Sequence, residues 1–159
     1  MLWTRHNRFM KKAIAGIIVA AAVLAGGLAA AQRPAPVVEV YKSPTCGCCA
    51  NWVKHLEAHG FRTRVTNVDD MTTVKTKQGV PARLSSCHTG VVNGYTLEGH
   101  VPAADVQRLL KDKPAVVGLA VPGMPIGSPG MEAGSTVQRY DVLAFTRQGE
   151  TKVFASYGR

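Results

Sequence analysis

The spacing of apolar and polar residues from Val37 onward predicts strands and helices in alternation. Alternating or β-branched runs are typical of strands, and apolar positions three or four residues apart are typical of helices. The predicted elements are, in order, a strand at 37–41, a helix from about 46 to 59 with Thr45 as its N-cap, a strand at 61–68, a second helix that opens at Asp69-Asp70 and reaches toward 79, a hairpin of 87–92 and 95–100, and a helix from 102 to 113.

The order of these elements indicates the fold class. The turn Asn93-Gly94 lies between two strand-like runs, which is the strongest short signal for a hairpin. A βαβ unit followed by a ββα unit is the thioredoxin arrangement, and a Cys-x-x-Cys where the first strand meets its helix supports it. We therefore predict an α/β fold with helices layered on a sheet, of thioredoxin-like type, over residues 37–113.

The pattern changes beyond Pro114. Residues 118–134 are rich in Gly and Pro and predict a loop, which carries Met124 and Met131. Two further strand-like runs, 140–145 and 152–157, flank a short polar turn and predict a second hairpin. We expect residues 114–159 to form a C-terminal loop and hairpin extension packed on the same domain.

The N-terminal segment has the three parts of a secretory signal peptide. Residues 1–12 are basic, residues 13–31 are uncharged and mostly apolar, and the run ends in Ala29-Ala30-Ala31. This pattern is typical of a segment that is cleaved on export. We predict a signal peptide at 1–31, a linker at 32–36 and a periplasmic location. Because the uncharged run approaches the ~20 residues that span a bilayer, an uncleaved membrane anchor is the alternative.

The net charge of +9 belongs partly to this segment. Four basic residues lie within the first twelve, and the chain from Gln32 onward carries 15 basic and 10 acidic residues, a net charge of +5. The basic residues are scattered and form no run with interleaved aromatic residues. The sequence therefore gives no indication of a nucleic-acid-binding surface.

The candidate chemistry centres on Cys46-Gly47-Cys48-Cys49. Cys46 and Cys49 are three residues apart at a predicted helix start, so they share one face. Free amide groups and the helix dipole stabilise a thiolate there, and the thiolate is both the nucleophile and the metal ligand. This pair alone fits a redox dithiol, a metal-binding pair or a structural disulfide.

Cys48 favours the metal-binding interpretation. A third thiol would compete in the exchange reactions of a dithiol, whereas a metal cluster gains a soft donor. Thiolates favour Cu(I), with zinc as a competitor that Cys46, Cys48, Cys49 and Cys87 could also bind. Two alternatives stay open: a thiol–disulfide oxidoreductase that uses Cys46 and Cys49, and a structural module whose four cysteines are paired in two disulfides.

Further candidate ligands lie elsewhere in the chain. In the thioredoxin arrangement, Cys87-His88 at the start of a strand faces the Cys46–Cys49 turn, and His100 ends the second strand of the hairpin. Imidazole is a good ligand for copper and zinc. Met124 and Met131, in the frames Pro-Gly-Met-Pro and Pro-Gly-Met-Glu, are candidate thioether donors for copper.

Several ordered motifs resemble those of the CopG-like copper-resistance proteins, a family long labelled as a domain of unknown function. The resemblance runs from about 37 to 157, and its motifs are 41–49, 86–89, 98–102, 118–125 and 127–132. It implies a periplasmic thioredoxin-like protein with a role in copper tolerance. It also implies that Cys46, Cys48, Cys49 and Cys87 assemble a copper(I) cluster with help from His88 or His100. Redox exchange between copper states or with thiols is a further implication, and other periplasmic copper-handling proteins are the expected partners.

Overall fold

The computed structural model describes residues 34–158, so the predicted signal peptide and part of the linker lie outside the described residues. The strands and helices of the described range are β1 (Val37–Lys42), α1 (Gly47–Ala58), β2 (Arg62–Asn67), α2 (Met71–Lys77), β3 (His88–Val92), β4 (Tyr95–Glu98), α3 (Ala103–Asp112), β5 (Gly118–Ala120), β6 (Tyr140–Phe145) and β7 (Thr151–Tyr157). A short 3₁₀ turn, Ala82–Leu84, precedes β3. None of the helices within 34–158 is long and apolar enough to cross a membrane.

All seven strands form one mixed sheet in the order β2-β1-β3-β4-β5-β6-β7. β1 and β2 are parallel and are joined through α1, whereas β3 is antiparallel to β1 and forms a hairpin with β4. The predicted α/β class and the predicted order, βαβ followed by ββα, are therefore confirmed. The closer thioredoxin-like assignment stays a prediction.

Helices cover the sheet on both faces. Trp52 and Leu56 of α1 and Leu109 of α3 pack with Val38 and Val40 of β1 in the larger core cluster. Because strand side chains alternate between faces, Thr89 and Glu98 point to the other face, where Lys75 of α2 contacts both. The sheet thus lies between α1 and α3 on one side and α2 on the other.

The C-terminal strands extend the same sheet. β5 is parallel to β4, and the β6–β7 hairpin continues from β5. The prediction that residues 118–134 are all loop is wrong at its start, because Gly118–Ala120 is a buried strand. Only three residues pair there, and Gly118 lies so close to the Thr96 backbone that a Cβ would meet it at 1.8 Å. A strand this short, begun by a glycine, carries little sequence signal.

Candidate metal centre

The first half of the candidate site is the start of α1. A turn closes between Ser43 and Cys46, where the Cys46 N–H donates to the Ser43 carbonyl at 3.1 Å. Cys46 is therefore the N-cap of α1, and the prediction that Thr45 holds that position is wrong by one residue. The Thr45 hydroxyl instead lies 3.3 Å from the Ser43 hydroxyl.

The three cysteines of this turn are in two different states. Cys46 and Cys49 are joined by a disulfide, whereas Cys48 is a free thiol. Cys49 is buried, and Cys46 and Cys48 are half-buried with their sulfurs 3.5 Å apart. The turn thus holds an oxidised pair with a third sulfur against it.

The second half of the site comes from the neighbouring ends of β3 and β4. Cys87 immediately precedes β3, His88 is the first residue of β3, and His100 follows β4 by two residues. The Cys87 Sγ lies 3.2 Å from the His88 Nδ1 and 3.1 Å from the His100 Nε2. Both imidazoles are fully buried, and their rings meet edge to face at 4.9 Å.

The two halves converge on Cys87. Donor atoms of Cys46, Cys48, Cys49 and Cys87 all lie within 4.8 Å of one another, and so do those of Cys87, His88 and His100. Cys87 is a free thiol and the member common to both groups. The structure therefore brings together all six of the cysteine and histidine ligands that the sequence suggested.

A hydrogen bond determines the tautomer of His100, and burial keeps both histidines neutral. The His100 Nδ1 lies 2.8 Å from the Pro129 carbonyl, which only accepts, so the proton is on Nδ1 and the Nε2 lone pair faces Cys87. Burial lowers the pKa of His100, and burial together with the neighbouring His100 lowers that of His88 well below its usual range. Both are therefore neutral imidazoles near pH 7, the form that binds metals.

The pKa of the Cys87 thiol is raised, whereas those of the two histidines are lowered. Burial, followed by the nearby Cys48, raises the pKa of the Cys87 thiol to about 11. A protonated Cys87 can donate to the His100 Nε2 and accept from the His88 Nδ1. Within the described residues this leaves the buried His88 Nε2 without a hydrogen-bond partner. A metal ion would have to displace the Cys87 proton, so metal binding at this thiol is coupled to proton release.

A buried polar network supports the strand half from the face of the sheet that α2 covers. Glu98 has no exposed surface, and its carboxylate forms an ion pair with Lys75. The same carboxylate accepts from the Ser86 N–H at 2.6 Å and from the Thr89 hydroxyl at 2.7 Å. Since Ser86 and Thr89 flank Cys87 and His88, Glu98 determines where that segment lies.

On the other face of the sheet, Trp52 packs against His88. Its ring centroid lies 4.3 Å from that of His88, and its Nε1–H donates to the Val101 carbonyl at 2.9 Å. Trp52 is fully buried. It therefore links α1, which carries Cys48 and Cys49, to the segment that follows His100.

The Gly/Pro loop after β5 closes the site from two directions. The Ser86 hydroxyl, beside Cys87, donates to the Gly123 carbonyl. Gly130 lies so close to α1 that a Cβ there would stand 2.8 Å from the Cys48 carbonyl oxygen. Met124 and Met131 follow these two glycines directly. The Met124 side chain is 52% exposed and that of Met131 is half-buried, and their role as metal ligands stays a prediction.

The donor set fits a soft metal ion once the disulfide is reduced. Four sulfurs and two neutral imidazole nitrogens at this spacing suit Cu(I) or zinc far better than hard cations, which take oxygen ligands. In the disulfide, Cys46 and Cys49 have no thiolate to offer, so the covalent state of that pair changes how many sulfur ligands the site has. The two-disulfide alternative requires that Cys48 and Cys87 also pair, and both are free.

Three supporting residues could not be recognised from the sequence: Lys42, Trp52 as a partner of His88, and Glu98. The Lys42 ammonium donates to the Ser43 carbonyl at 2.8 Å and to the Pro44 carbonyl at 3.4 Å, beside the cysteine turn. Lys42 gives a weak signal, because it continues the buried positions Val38 and Val40 of β1 with a charged residue. The side-chain contacts of Trp52 and Glu98 depend on long-range packing, for which a single sequence offers no comparable signal.

Comparisons with known proteins show which proteins this chain is similar to. The family model described as "Protein of unknown function, DUF411" matches residues 84–131, which include Cys87, His88 and His100. Two solved structures, both titled copper resistance protein copG, share 48% (form 2) and 47% (form 1) of their residues with this chain, and both align with a TM-score of 0.75. The match to form 2 spans 78% of this chain and 99% of the form 2 chain. The match to form 1 spans 80% of this chain and 100% of the form 1 chain. No curated protein matches the chain.

Proposed function

Because this chain belongs to the family of the copper resistance protein CopG, we propose that it binds copper(I) as cargo through Cys46, Cys48, Cys49 and Cys87. Family membership and the cysteine cluster together support a copper-related role. The observation that carries the proposal is the convergence of four cysteine sulfurs within 4.8 Å of one another. Thiolates are the ligands that select Cu(I).

His88 and His100 complete the proposed site. Both present a ring nitrogen to Cys87, at 3.2 and 3.1 Å, and both are neutral near pH 7. We assign them to the ligand set on these contacts. Met124 and Met131 are proposed as further thioether donors, because their backbone neighbours contact the Cys87 and Cys48 segments.

The disulfide supports a redox role for the same site. Oxidation of two thiolates, Cys46 and Cys49, to a disulfide releases two electrons, and two Cu(II) ions would take them up to become Cu(I). The oxidised pair would then offer two fewer sulfur ligands to copper(I). We propose that the site alternates between these states as it handles copper.

The proposed location is the periplasm, where the protein would contribute to copper tolerance and exchange copper with other copper-handling proteins. Its support is the signal-peptide pattern at 1–31, which lies outside the described residues. Soft thiol ligands in an oxidising compartment also need a role that uses them, because exposed free thiols there are readily oxidised.

A thiol–disulfide oxidoreductase acting on exported proteins is the second candidate. It is favoured by the disulfide between Cys46 and Cys49 at a helix start. The two functions differ in what they require of Cys48. Dithiol exchange needs only Cys46 and Cys49, whereas copper binding uses all four cysteines.

The decisive experiment is an anaerobic titration with Cu(I). Protein reduced by a phosphine should hold at least one copper tightly against a chromogenic Cu(I) chelator, and protein with an intact disulfide should hold it more weakly. A parallel titration with Zn²⁺ tests the competing metal. Less than one tightly held copper per reduced chain contradicts the proposal.

Matched histidine variants test the ligand set. His100→Gln should weaken copper(I) binding by about tenfold or more, a loss typical of altered metal sites. His59→Gln is the control, because His59 lies at the opposite end of α1 and is exposed, with its imidazole against the His55 carbonyl and the His55 ring and away from the cysteines. Equal losses from both variants contradict a ligand role for His100.

A further inference from the structure

The start of α3 is held by a side chain of α1 rather than by a capping side chain of its own. The N-cap of α3 is Pro102, which forms no side-chain cap. The N–H of Ala103, the first residue of the helix, donates instead to the His55 Nε2 at 3.0 Å. Because Ala103 is fully buried, the loss of this acceptor would leave a buried donor unpaired, which costs free energy.

Two side chains of α1 together fix the residues that follow His100. Trp52 donates to the Val101 carbonyl, and His55, three residues further along α1, accepts from Ala103. The segment 101–103 connects the candidate ligand His100 to α3, and α1 begins at the cysteine turn. The two hydrogen bonds therefore hold the strand half of the site against the helix that carries the cysteines.

The hydrogen bond between His55 and Ala103 requires a neutral imidazole. The Nε2 accepts an N–H, so the proton of the neutral ring is on Nδ1. Protonation would turn the Nε2 into a donor that faces another donor. It would also place a positive charge at the N-terminal end of α3, where the helix dipole is positive. Protonation of His55 therefore removes this contact.

The charged groups around His55 also favour the neutral form. Burial, followed by His59 on the next turn of α1, lowers the pKa of His55, and Glu132 of the loop after β5 opposes them more weakly. Asp105, the acidic residue in the first turn of α3, is paired with Arg108. An unfolded chain takes up the proton near the ordinary value of 6.5, so the stability from this contact is present above that pH and is lost as the pH falls below it.

We propose that His55 is a positioning residue that holds the segment after His100 to α1 while it is neutral and releases that segment when it is protonated. This inference deepens the proposed function and rests on it for what the site binds. It adds that the arrangement of the site depends on pH through a residue that is not a ligand.

The test is hydrogen exchange of metal-free protein, read in peptides that cover residues 101–106 and corrected for the intrinsic pH dependence of exchange. His55→Gln keeps an acceptor for Ala103 but does not titrate, and His55→Leu fills the space without an acceptor. At pH 7.5 the protection should fall about tenfold in His55→Leu, as expected for an unpaired buried donor, and stay within about twofold of wild type in His55→Gln. Equal protection in His55→Leu and wild type overturns the proposal.

The pH dependence separates positioning from a purely structural role. Between pH 7.5 and 5, wild-type protein should lose about threefold or more protection relative to His55→Gln. This ratio removes the contributions of His88 and His100, which titrate in both proteins. The control is His59→Gln, which keeps His55 and should follow wild type. An equal response of wild type and His55→Gln, or a response lost equally in His59→Gln, overturns the proposal.

Copper(I) affinity of the reduced variants at pH 7.5 tests the link to the site. His55→Leu should bind about tenfold more weakly than wild type, at the lower end of losses for residues that orient metal ligands, and His55→Gln should bind within about twofold of it. Reduced protection with unchanged affinity in His55→Leu overturns the link. If wild-type protein binds no copper(I), the proposed function is wrong, and hydrogen exchange alone decides the role of His55.

Discussion

Cys46, Cys48 and Cys49 belong to the first turn of a helix, whereas Cys87, His88 and His100 lie at the ends of two central strands. The helix turn is bordered by exposed residues and holds a disulfide that can open. The strand ends are anchored by Glu98 on one face of the sheet and packed against Trp52 on the other.

This difference indicates that the two halves have different roles in one site: one is fixed in position, and the other changes its covalent state. At the helix start, opening the disulfide changes the covalent state of Cys46 and Cys49. Strand ends with a buried ion pair behind them resist movement. The strand half therefore offers a fixed frame of one sulfur and two nitrogens, and the helix half changes the number of available sulfurs.

The largest effect is expected from removing the ion pair that holds the strand half in place. Glu98→Gln leaves the nearly buried Lys75 without a charge partner, so unfolding should become easier by about 3 kcal/mol or more, as for other buried pairs that lose one member. Denaturant unfolding measures this loss. Glu39→Gln breaks the exposed pair with Arg64 and should cost less than about 1 kcal/mol. Similar losses from the two variants contradict the idea of a rigid frame.

Cys87 is the residue that both halves share, and its removal should affect copper more than the removal of Cys48. Cys87→Ser takes a ligand from both donor groups, so copper(I) affinity of the reduced protein should fall by about 100-fold or more, at the upper end of losses for altered metal sites. Cys48→Ser takes a sulfur from one group only. Chelator competition measures both affinities, and a larger loss in Cys48→Ser would contradict the central place of Cys87.

The reactivity of the free thiol of Cys87 sharpens the comparison through pH. Because burial raises the pKa of Cys87 to about 11, its thiolate forms only as the pH rises toward that value. At pH 8 the thiolate fraction is about one in a thousand, roughly 100-fold below that of a thiol with the ordinary pKa of 9.0. Iodoacetamide labelling followed by peptide mass spectrometry should show Cys87 reacting slowly at pH 8 and faster at pH 10. A rate that is independent of pH over this range contradicts a protonated, half-buried Cys87.

The sequence predicted the helix half of the site more completely than its support. Local periodicity and the Asn93-Gly94 turn were sufficient for the order of elements as far as α3 but not for β5. The cysteine spacing was sufficient to place Cys46, Cys48 and Cys49 in one turn, whereas the position of Cys87 beside them followed from the predicted strand order. The N-cap was missed by one residue because the Ser43–Cys46 turn delays the helix. The buried roles of Lys42 and Glu98 depend on strand register and on neighbours 12 to 25 residues away, which periodicity does not encode.

The loop after β5 connects the two halves, and two of its glycines allow that connection to be tested. Gly130 has φ +86°, and a Cβ there would stand 2.7 Å from the Trp52 backbone nitrogen and 2.8 Å from the Cys48 carbonyl oxygen. The preceding residue, Pro129, accepts the hydrogen bond of His100. A side chain at 130 must therefore push the loop away from α1 and pull Pro129 from His100.

Gly134 is the matched control, because it has φ +60° and no atom within 4 Å of its Cβ position. Both alanine variants incur the ~1–2 kcal/mol cost of the left-handed backbone. Gly130→Ala should lose a further ~1–3 kcal/mol of unfolding free energy, because its Cβ overlaps the backbone of α1. Its copper(I) affinity should fall, while that of Gly134→Ala stays unchanged. Denaturant unfolding and chelator competition measure these effects. If the two variants have equal unfolding free energies and equal copper(I) affinities, the loop covers the site without holding its halves together.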